Sequence, residues 1–154
     1  MIKGSTTADC SIRHSSVLHA ALPFPTVTLH EQPMLYSVDL RECEALAALT
    51  PEAIIAAFVS AMERAGATVV QTLSHAFPGA GLTSVLILAE SHAVIHTWPE
   101  TGTVNIDIFS CSTRLKSLEA VNELGWCLRA RRISVQEIPR ADGHTADIPS
   151  NARP

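Results

Sequence analysis

The stretch "AESHAVIHTWPETGTVNIDIFSCS" (89–112) collects Ser91, His92, His96, Glu100 and Cys111 in a segment short enough to be one hairpin. A hydroxyl or thiol can attack a carbonyl, an imidazole can move the proton, and a carboxylate can hold a polyol or a cation. His92 and His96 invite a zinc reading, since an i, i+4 pair on a helix can chelate the ion. The neighbours Val94, Ile95, Thr97 and Trp98 favour a strand instead, where four positions span roughly 13 Å and no ion can be shared. No metal is therefore expected. The turn "WPETG" sits between two strand-like runs, and a hairpin folded about residues 100–101 brings Ser91 opposite Ser110 or Cys111. Ser91 and His96 differ by an odd number, so in a regular strand they point to opposite faces. They share a site only if a bulge or chain break intervenes. Taken singly, each residue has an ordinary explanation: a buried Cys111 packs as a small hydrophobe, a strand histidine is satisfied locally, Glu100 is solvated in its turn, and Phe77 beside Pro78 is packing. Their joint arrangement is what points to a site.

The elements that must position this segment are legible on either side of it. "TPEAIIAAFVSAMERAG" opens with Thr50 as N-cap, Pro51 at the first helical position and Glu52 in the first turn. Ile54, Ile55, Phe58, Val59 and Met62 then share one face, and Gly66 closes the helix. "TRLKSLEAVNELGWCLRA" (113–130) reads as a second amphipathic helix with Leu115, Leu118, Val121, Leu124 and Leu128 inward. Strands are expected at 34–41, 68–76, 83–90, 92–98, 103–110 and 131–138, from short runs rich in Val, Ile and Thr punctuated by Gly or Pro. The order βαββββαβ with hairpin links predicts an α+β fold: a two-layer sandwich, an antiparallel sheet with both helices on one face. The second face of such a sheet needs a cover, and pairing with another copy is the economical one, giving a four-layer αββα dimer.

Composition narrows the function classes. The 154 residues suffice for one domain with a real core. A net charge of −4 leaves no electrostatic footprint for nucleic acid, and the one basic cluster, Arg129, Arg131 and Arg132, reads as a helix end. Four widely spaced cysteines, Cys10, Cys43, Cys111 and Cys127, form no CxxC pair, so free thiols in a reducing cytoplasm are expected. No apolar run approaches membrane-spanning length, and no membrane partner is expected. Residues 1–32, rich in Ser, Thr, His and Pro, are expected to be a poorly ordered extension, and 141–154 a flexible tail, around a domain at 33–140.

"ESHAVIHTWPE" followed by "VNIDIFSCS" resembles the self-processing signature of the bacterial and archaeal type of S-adenosylmethionine decarboxylase. That signature reads E-S-H-x-x-I-H-T-W-P-E, with a later strand ending in F-[ST]-C. The resemblance runs from about Met34 to Arg140 and takes in "AGATVV", "HAFPGAGLTSVLILAES" and "ARRISVQEIPR". Four places depart from the family pattern. "QPMLYS" stands where a Gly-Arg-His run opens the first strand, and "FPGAG" has its proline one place early. Glu42 replaces a glycine before the first-strand cysteine, and "EIPRA" replaces E-x-x-R-G.

The resemblance implies a proenzyme, a zymogen that cleaves itself between Glu90 and Ser91 and converts Ser91 into a covalent pyruvoyl group, so that no external cofactor is needed. Attack by serine on the preceding carbonyl exchanges a peptide for an ester; elimination and hydrolysis then leave the ketone. The ketone forms a Schiff base with the amine of S-adenosylmethionine and acts as electron sink for decarboxylation, the role pyridoxal phosphate plays elsewhere. Carried over by position, His96 assists processing, Thr83 supports it, and Cys111 returns a proton after carbon dioxide leaves. Phe77 stacks on the adenine and Glu100 binds the ribose hydroxyls. The product is the aminopropyl donor for spermidine biosynthesis, made in the cytoplasm by a dimer of processed αβ units. Two alternatives keep parts of this picture: a pyruvoyl decarboxylase of another amino acid, arginine or ornithine, and a non-catalytic regulatory paralogue. Phe77 and Glu100 weigh against the first, and the presence of both Ser91 and Cys111 against the second.

Overall fold

The computed structural model describes residues 33–79, 81–89, 91–111 and 115–140. The expectations for residues 1–32 and 141–154, and the position of Glu90, lie outside the described residues. Strand β1 (Met34–Arg41) leads through a short 3-10 turn (Leu46–Ala48) into helix α1 (Pro51–Arg64). Four strands follow: β2 (Val69–Ala76), β3 (Leu82–Leu88), β4 (Ser91–Trp98) and β5 (Thr103–Ser110). Helix α2 (Ser117–Cys127) and strand β6 (Arg132–Pro139) complete the order. The six strands make one antiparallel sheet in the order β2-β3-β4-β5-β1-β6.

Helix α1 starts where the sequence predicts, with the Thr50 side chain accepting a hydrogen bond from the Ala53 amide at 3.3 Å. Its buried face is Ile54, Phe58, Ala61 and Met62, while Ile55 and Val59 are only half-buried at its edge. Helix α2 begins at Ser117, later than expected, behind a Lys116 N-cap that makes no side-chain capping bond. Among the expected inward residues, Val121, Leu124 and Leu128 are buried, whereas Leu115 and Leu118 are half-buried; Ala120 and Gly125 fill the places close to the sheet.

Both helices cover one side of the sheet, as predicted. The alternating positions Val38 and Leu40 on β1, Leu82, Leu86 and Leu88 on β3, Ala93 and Ile95 on β4, and Val104, Ile106 and Ile108 on β5 form the core with α1 and α2. Ser84 and Thr97, polar groups inside it, are paired. Ser84 hydrogen-bonds Ser74 across β2 and β3 at 2.8 Å, and the Thr97 hydroxyl accepts from the Leu82 amide at 3.0 Å. No protein layer of the described chain covers the opposite side, so Leu73, Ile87 and Trp98 remain exposed there.

Candidate active site

The open side of the sheet carries a continuous row of polar residues. Register places His75 on β2 opposite Thr83 on β3, Thr83 opposite His96 on β4, His96 opposite Asn105 on β5, and Asn105 opposite Asp39 on β1. Cross-strand neighbours lie about 4.5–5.5 Å apart, so adjacent members of this row are side by side. The Thr83 hydroxyl hydrogen-bonds His96 Nδ1 at 2.8 Å. Beyond the row, a cavity of about 680 Å³ is walled by Phe77, Thr83, His96, Trp98 and Glu100 among others. Of the residues singled out in the sequence, Thr83, His96, Phe77 and Glu100 are thus brought to one place.

Local chemistry explains why they converge. The connection from β2 to β3 is a tight loop in which the Phe77 amide donates to the Gly81 carbonyl at 2.8 Å. Gly81 has no side chain because a Cβ there would meet the Thr97 carbonyl oxygen at 3.3 Å, with Phe77 Cβ behind it at 3.9 Å. The close approach of loop to strand holds the Phe77 ring, itself edge-on to His75 at 4.6 Å, at the cavity wall. Glu100 sits in the turn after β4, where Thr101 donates to Trp98 O at 3.1 Å and Gly102 takes a φ of 63°. The Gly102 carbonyl then accepts from the Cys43 amide at 2.9 Å, fastening the turn to the end of β1.

Ser91 and Cys111 lie at the other end of the β4–β5 hairpin. His92 pairs with Phe109, so one step further Ser91 is level with Ser110 and next to Cys111, as the turn arithmetic predicts. Strand β4 runs from Ser91 to Trp98 with unbroken register to both neighbours, and no bulge turns Ser91 towards His96. Alternation puts Ser91 on the helix side with Ala93 and Ile95, and His96 on the open side. Five strand residues also separate them by roughly 16 Å. Within one chain the structure does not bring Ser91 and His96 together.

The metal question has a simple geometry. His92 and His96 share the open side at the strand spacing that keeps their rings apart. Among the described residues no group of three His, Cys, Asp or Glu side chains could hold a metal ion, and no helix is long and apolar enough to cross a membrane.

The family model for S-adenosylmethionine decarboxylase matches residues 34–141. This chain belongs to the S-adenosylmethionine decarboxylase family. It is 36% identical over 102 residues to an S-adenosylmethionine decarboxylase proenzyme of Clostridium tetani, an alignment covering 66% of this chain and 81% of that protein. A proenzyme of the same description from Methanococcus maripaludis is 34% identical over 103 residues, covering 67% and 84%. The crystal structure of the adenosylmethionine decarboxylase from Aquifex aeolicus superposes with a TM-score of 0.62 at 24% identity, over 76% of this chain and 98% of that one, and so shares the fold.

Cysteines in this decarboxylase-family chain differ sharply in their surroundings. Cys43 and Cys111 are free, the first buried and the second exposed, whereas Cys127 is disulfide-bonded, so the expectation of free thiols throughout does not hold for it. Burial pushes the Cys43 thiol up to about 11. Brief alkylation near pH 8 is therefore expected to label Cys111 and leave Cys43 untouched, because only an accessible thiolate reacts. Peptide mapping of the labelled sites checks this, and labelling of Cys43 at a similar rate would contradict it.

Three residues of the open side were not singled out from sequence for any role: Trp98, Asn105 and Asp39. Trp98 donates from Nε1 to Asn105 Oδ1 at 2.9 Å, and Asn105 Nδ2 donates to Asp39 Oδ1 at 2.7 Å. Strand parity with His96 is the signal that could have found Trp98 on the same face. Asn105 and Asp39 belong to other strands, and only their register relates them to it.

Proposed function

We propose that this chain is a self-processing S-adenosylmethionine decarboxylase, spanning residues 33–140, that makes the aminopropyl donor for spermidine biosynthesis. The observation that carries the reading is the cavity in which Phe77, Glu100 and the Thr83–His96 pair meet. An aromatic face suits an adenine ring or the positive sulfonium, and a carboxylate suits two vicinal ribose hydroxyls. An arginine or ornithine substrate would leave both features without work to do. The reading includes a cytoplasmic location.

Ser91 fits the role of pyruvoyl precursor. It follows the tight connection between the paired residues Leu88 and Ser91, where two new chain ends can separate without dismantling the sheet. Its hydroxyl attacks the Glu90 carbonyl, exchanging the peptide bond for an ester. Loss of the Ser91 α-proton expels the carboxylate of residue 90, and hydrolysis of the resulting enamine releases ammonia and leaves a ketone. His96 is suited to remove that proton: Thr83 engages Nδ1 and leaves Nε2 for proton transfer. The pyruvoyl group supplies a carbonyl for the substrate amine and a sink for the electron pair left as carbon dioxide departs. Cys111, exposed beside Ser91 at the hairpin end, returns a proton from Sγ to the α-carbon.

In this reading a second copy spans the distance between Ser91 and His96. A two-fold axis lying between two open sheet faces and running across the strands lays the Ser91 end of one hairpin over the His96 end of its mate. Each complete site then takes Ser91 and Cys111 from one protomer and Thr83, His96, Phe77 and Glu100 from its partner. Burial of the otherwise exposed Leu73 and Ile87 supplies the apolar drive for such a dimer.

Coexpression of Ser91→Ala with His96→Ala chains tests the arrangement. Each variant alone is expected to be inactive. Random hybrids retain one intact shared site per mixed dimer, about a quarter of wild-type carbon dioxide release. Hybrids with no activity would show that the two groups serve the same protomer. Release of carbon dioxide from arginine or ornithine, but not from S-adenosylmethionine, by the wild type would overturn the substrate assignment.

A further inference from the structure

The hydrogen bonds around Trp98 form a chain with a single consistent direction. An indole N–H can only donate, and a carboxylate can only accept, whereas an asparagine amide can present either its oxygen or its nitrogen. Asp39 Oδ1 lies 2.7 Å from Asn105 Nδ2, which fixes the amide so that Oδ1 faces the Trp98 N–H. Arg41 donates to the second oxygen, Asp39 Oδ2, at 3.2 Å, leaving Oδ1 for Asn105. The chain thus crosses from β1 through β5 to β4, and each link decides the orientation of the next.

Trp98 needs such a hold. Its ring is 50% exposed yet forms part of the cavity wall beside Phe77, His96 and Glu100. Within its own chain the indole has little packing to choose its rotamer, so a directional bond at Nε1 supplies what that chain's core cannot.

We propose that Asn105 and Asp39 are positioning residues that hold the Trp98 indole as a fixed wall of the nucleoside cavity, setting affinity for the adenosyl part of the substrate. This rests on the decarboxylase reading for the identity of the ligand, and on geometry alone for the hold on the ring. Neither residue belongs to the reacting set of Ser91, Cys111, Thr83 and His96, and both act through the Trp98 ring, so their loss is expected in KM rather than in kcat. Trp98 itself presents an aromatic face suited to an adenine or a sulfonium.

The test uses full-length protein in a Trp126→Phe background, which leaves Trp98 as the one tryptophan of the two in the sequence. Two readouts are taken: steady-state anisotropy of Trp98 emission without ligand, and binding of methylthioadenosine, which has the nucleoside but neither amine nor carboxylate. Asn105→Leu and Asp39→Ala, which removes the acceptor, are each expected to lower the anisotropy and to weaken methylthioadenosine binding about tenfold, the loss of one hydrogen bond's worth of order. With S-adenosylmethionine, KM rises by a similar factor while kcat stays within about twofold. In a Trp98→Phe chain, which has no N–H to hold, Asn105→Leu is expected to add nothing to KM. An undiminished anisotropy in both single variants overturns the proposal. So does a further tenfold rise in KM on the Trp98→Phe background, or a fall in kcat at unchanged KM. If the anisotropy drops as expected but the wild type binds no methylthioadenosine, the hold on Trp98 stands and the nucleoside assignment of the cavity fails. Asp39→Ala, a truncation at a half-exposed position, keeps the test decisive should Asn105→Leu fold poorly.

Discussion

Ser91→Ala is expected to leave one uncut chain of 154 residues and no decarboxylation above the uncatalysed background, a loss of at least about 10⁶-fold. The change removes the sole hydroxyl that directly follows the Glu90 carbonyl and, with it, the atoms from which the pyruvoyl group is made. Alanine suits a half-buried strand position and breaks no side-chain hydrogen bond described for Ser91, so the fold should persist. Intact mass under denaturing conditions is the direct reading. Wild-type protein should give two chains, one ending at Glu90 and the other beginning with a ketone in place of serine's amine and hydroxyl. The variant should give one mass, unchanged on incubation. A Ser91→Ala chain that still splits at this bond would refute the pyruvoyl assignment. A wild-type chain that never splits would favour the non-catalytic paralogue.

Cys111→Ala should separate the two reactions. Splitting into two chains is expected to proceed, because Ser91, Thr83 and His96 remain. Decarboxylation is expected to fall by about 10²–10⁴-fold in kcat, the usual contribution of a positioned proton donor. KM should move little, since Phe77, Trp98 and Glu100, which wall the nucleoside cavity, are all retained. Mass spectrometry and carbon dioxide release on the same preparation check both halves. Normal turnover by Cys111→Ala would remove the thiol from the mechanism and leave Ser110 or solvent as the proton source.

Dependence of activity on protein concentration follows from the same arrangement. The described residues of one chain place the Thr83–His96 pair roughly 16 Å from Ser91, so dilution below the dimer dissociation constant should silence processing as well as turnover. That property separates a shared site from one in which a loop movement within the protomer closes the gap.

Much of this was readable in the chain itself, and the reason is that it depends on near neighbours. Thr50, Pro51 and Gly66 mark the ends of α1 through capping and backbone conformation, which involve residues a few positions away. The strands declare themselves through Val, Ile and Thr runs, and the "WPETG" turn sets the β4–β5 register that puts Ser91 level with Ser110. Helix α2 was legible in its existence but not in its start, because Lys116 supplies no capping side chain to mark it. The residue types that do the chemistry, and the family they resemble, are likewise a matter of the linear sequence.

Only the tertiary structure decided where those residues meet. Strand β1 inserts between β5 and β6, an adjacency between segments far apart in the chain that no local pattern encodes. That insertion brings Asp39 to Asn105 across 66 positions and gives Trp98 its anchor. It was also the unbroken register of β4, rather than any motif, that put Ser91 and His96 on opposite sides and at opposite ends. Spacing along a strand fixes distance and face only once pairing has excluded a bulge, and pairing is a property of the whole sheet.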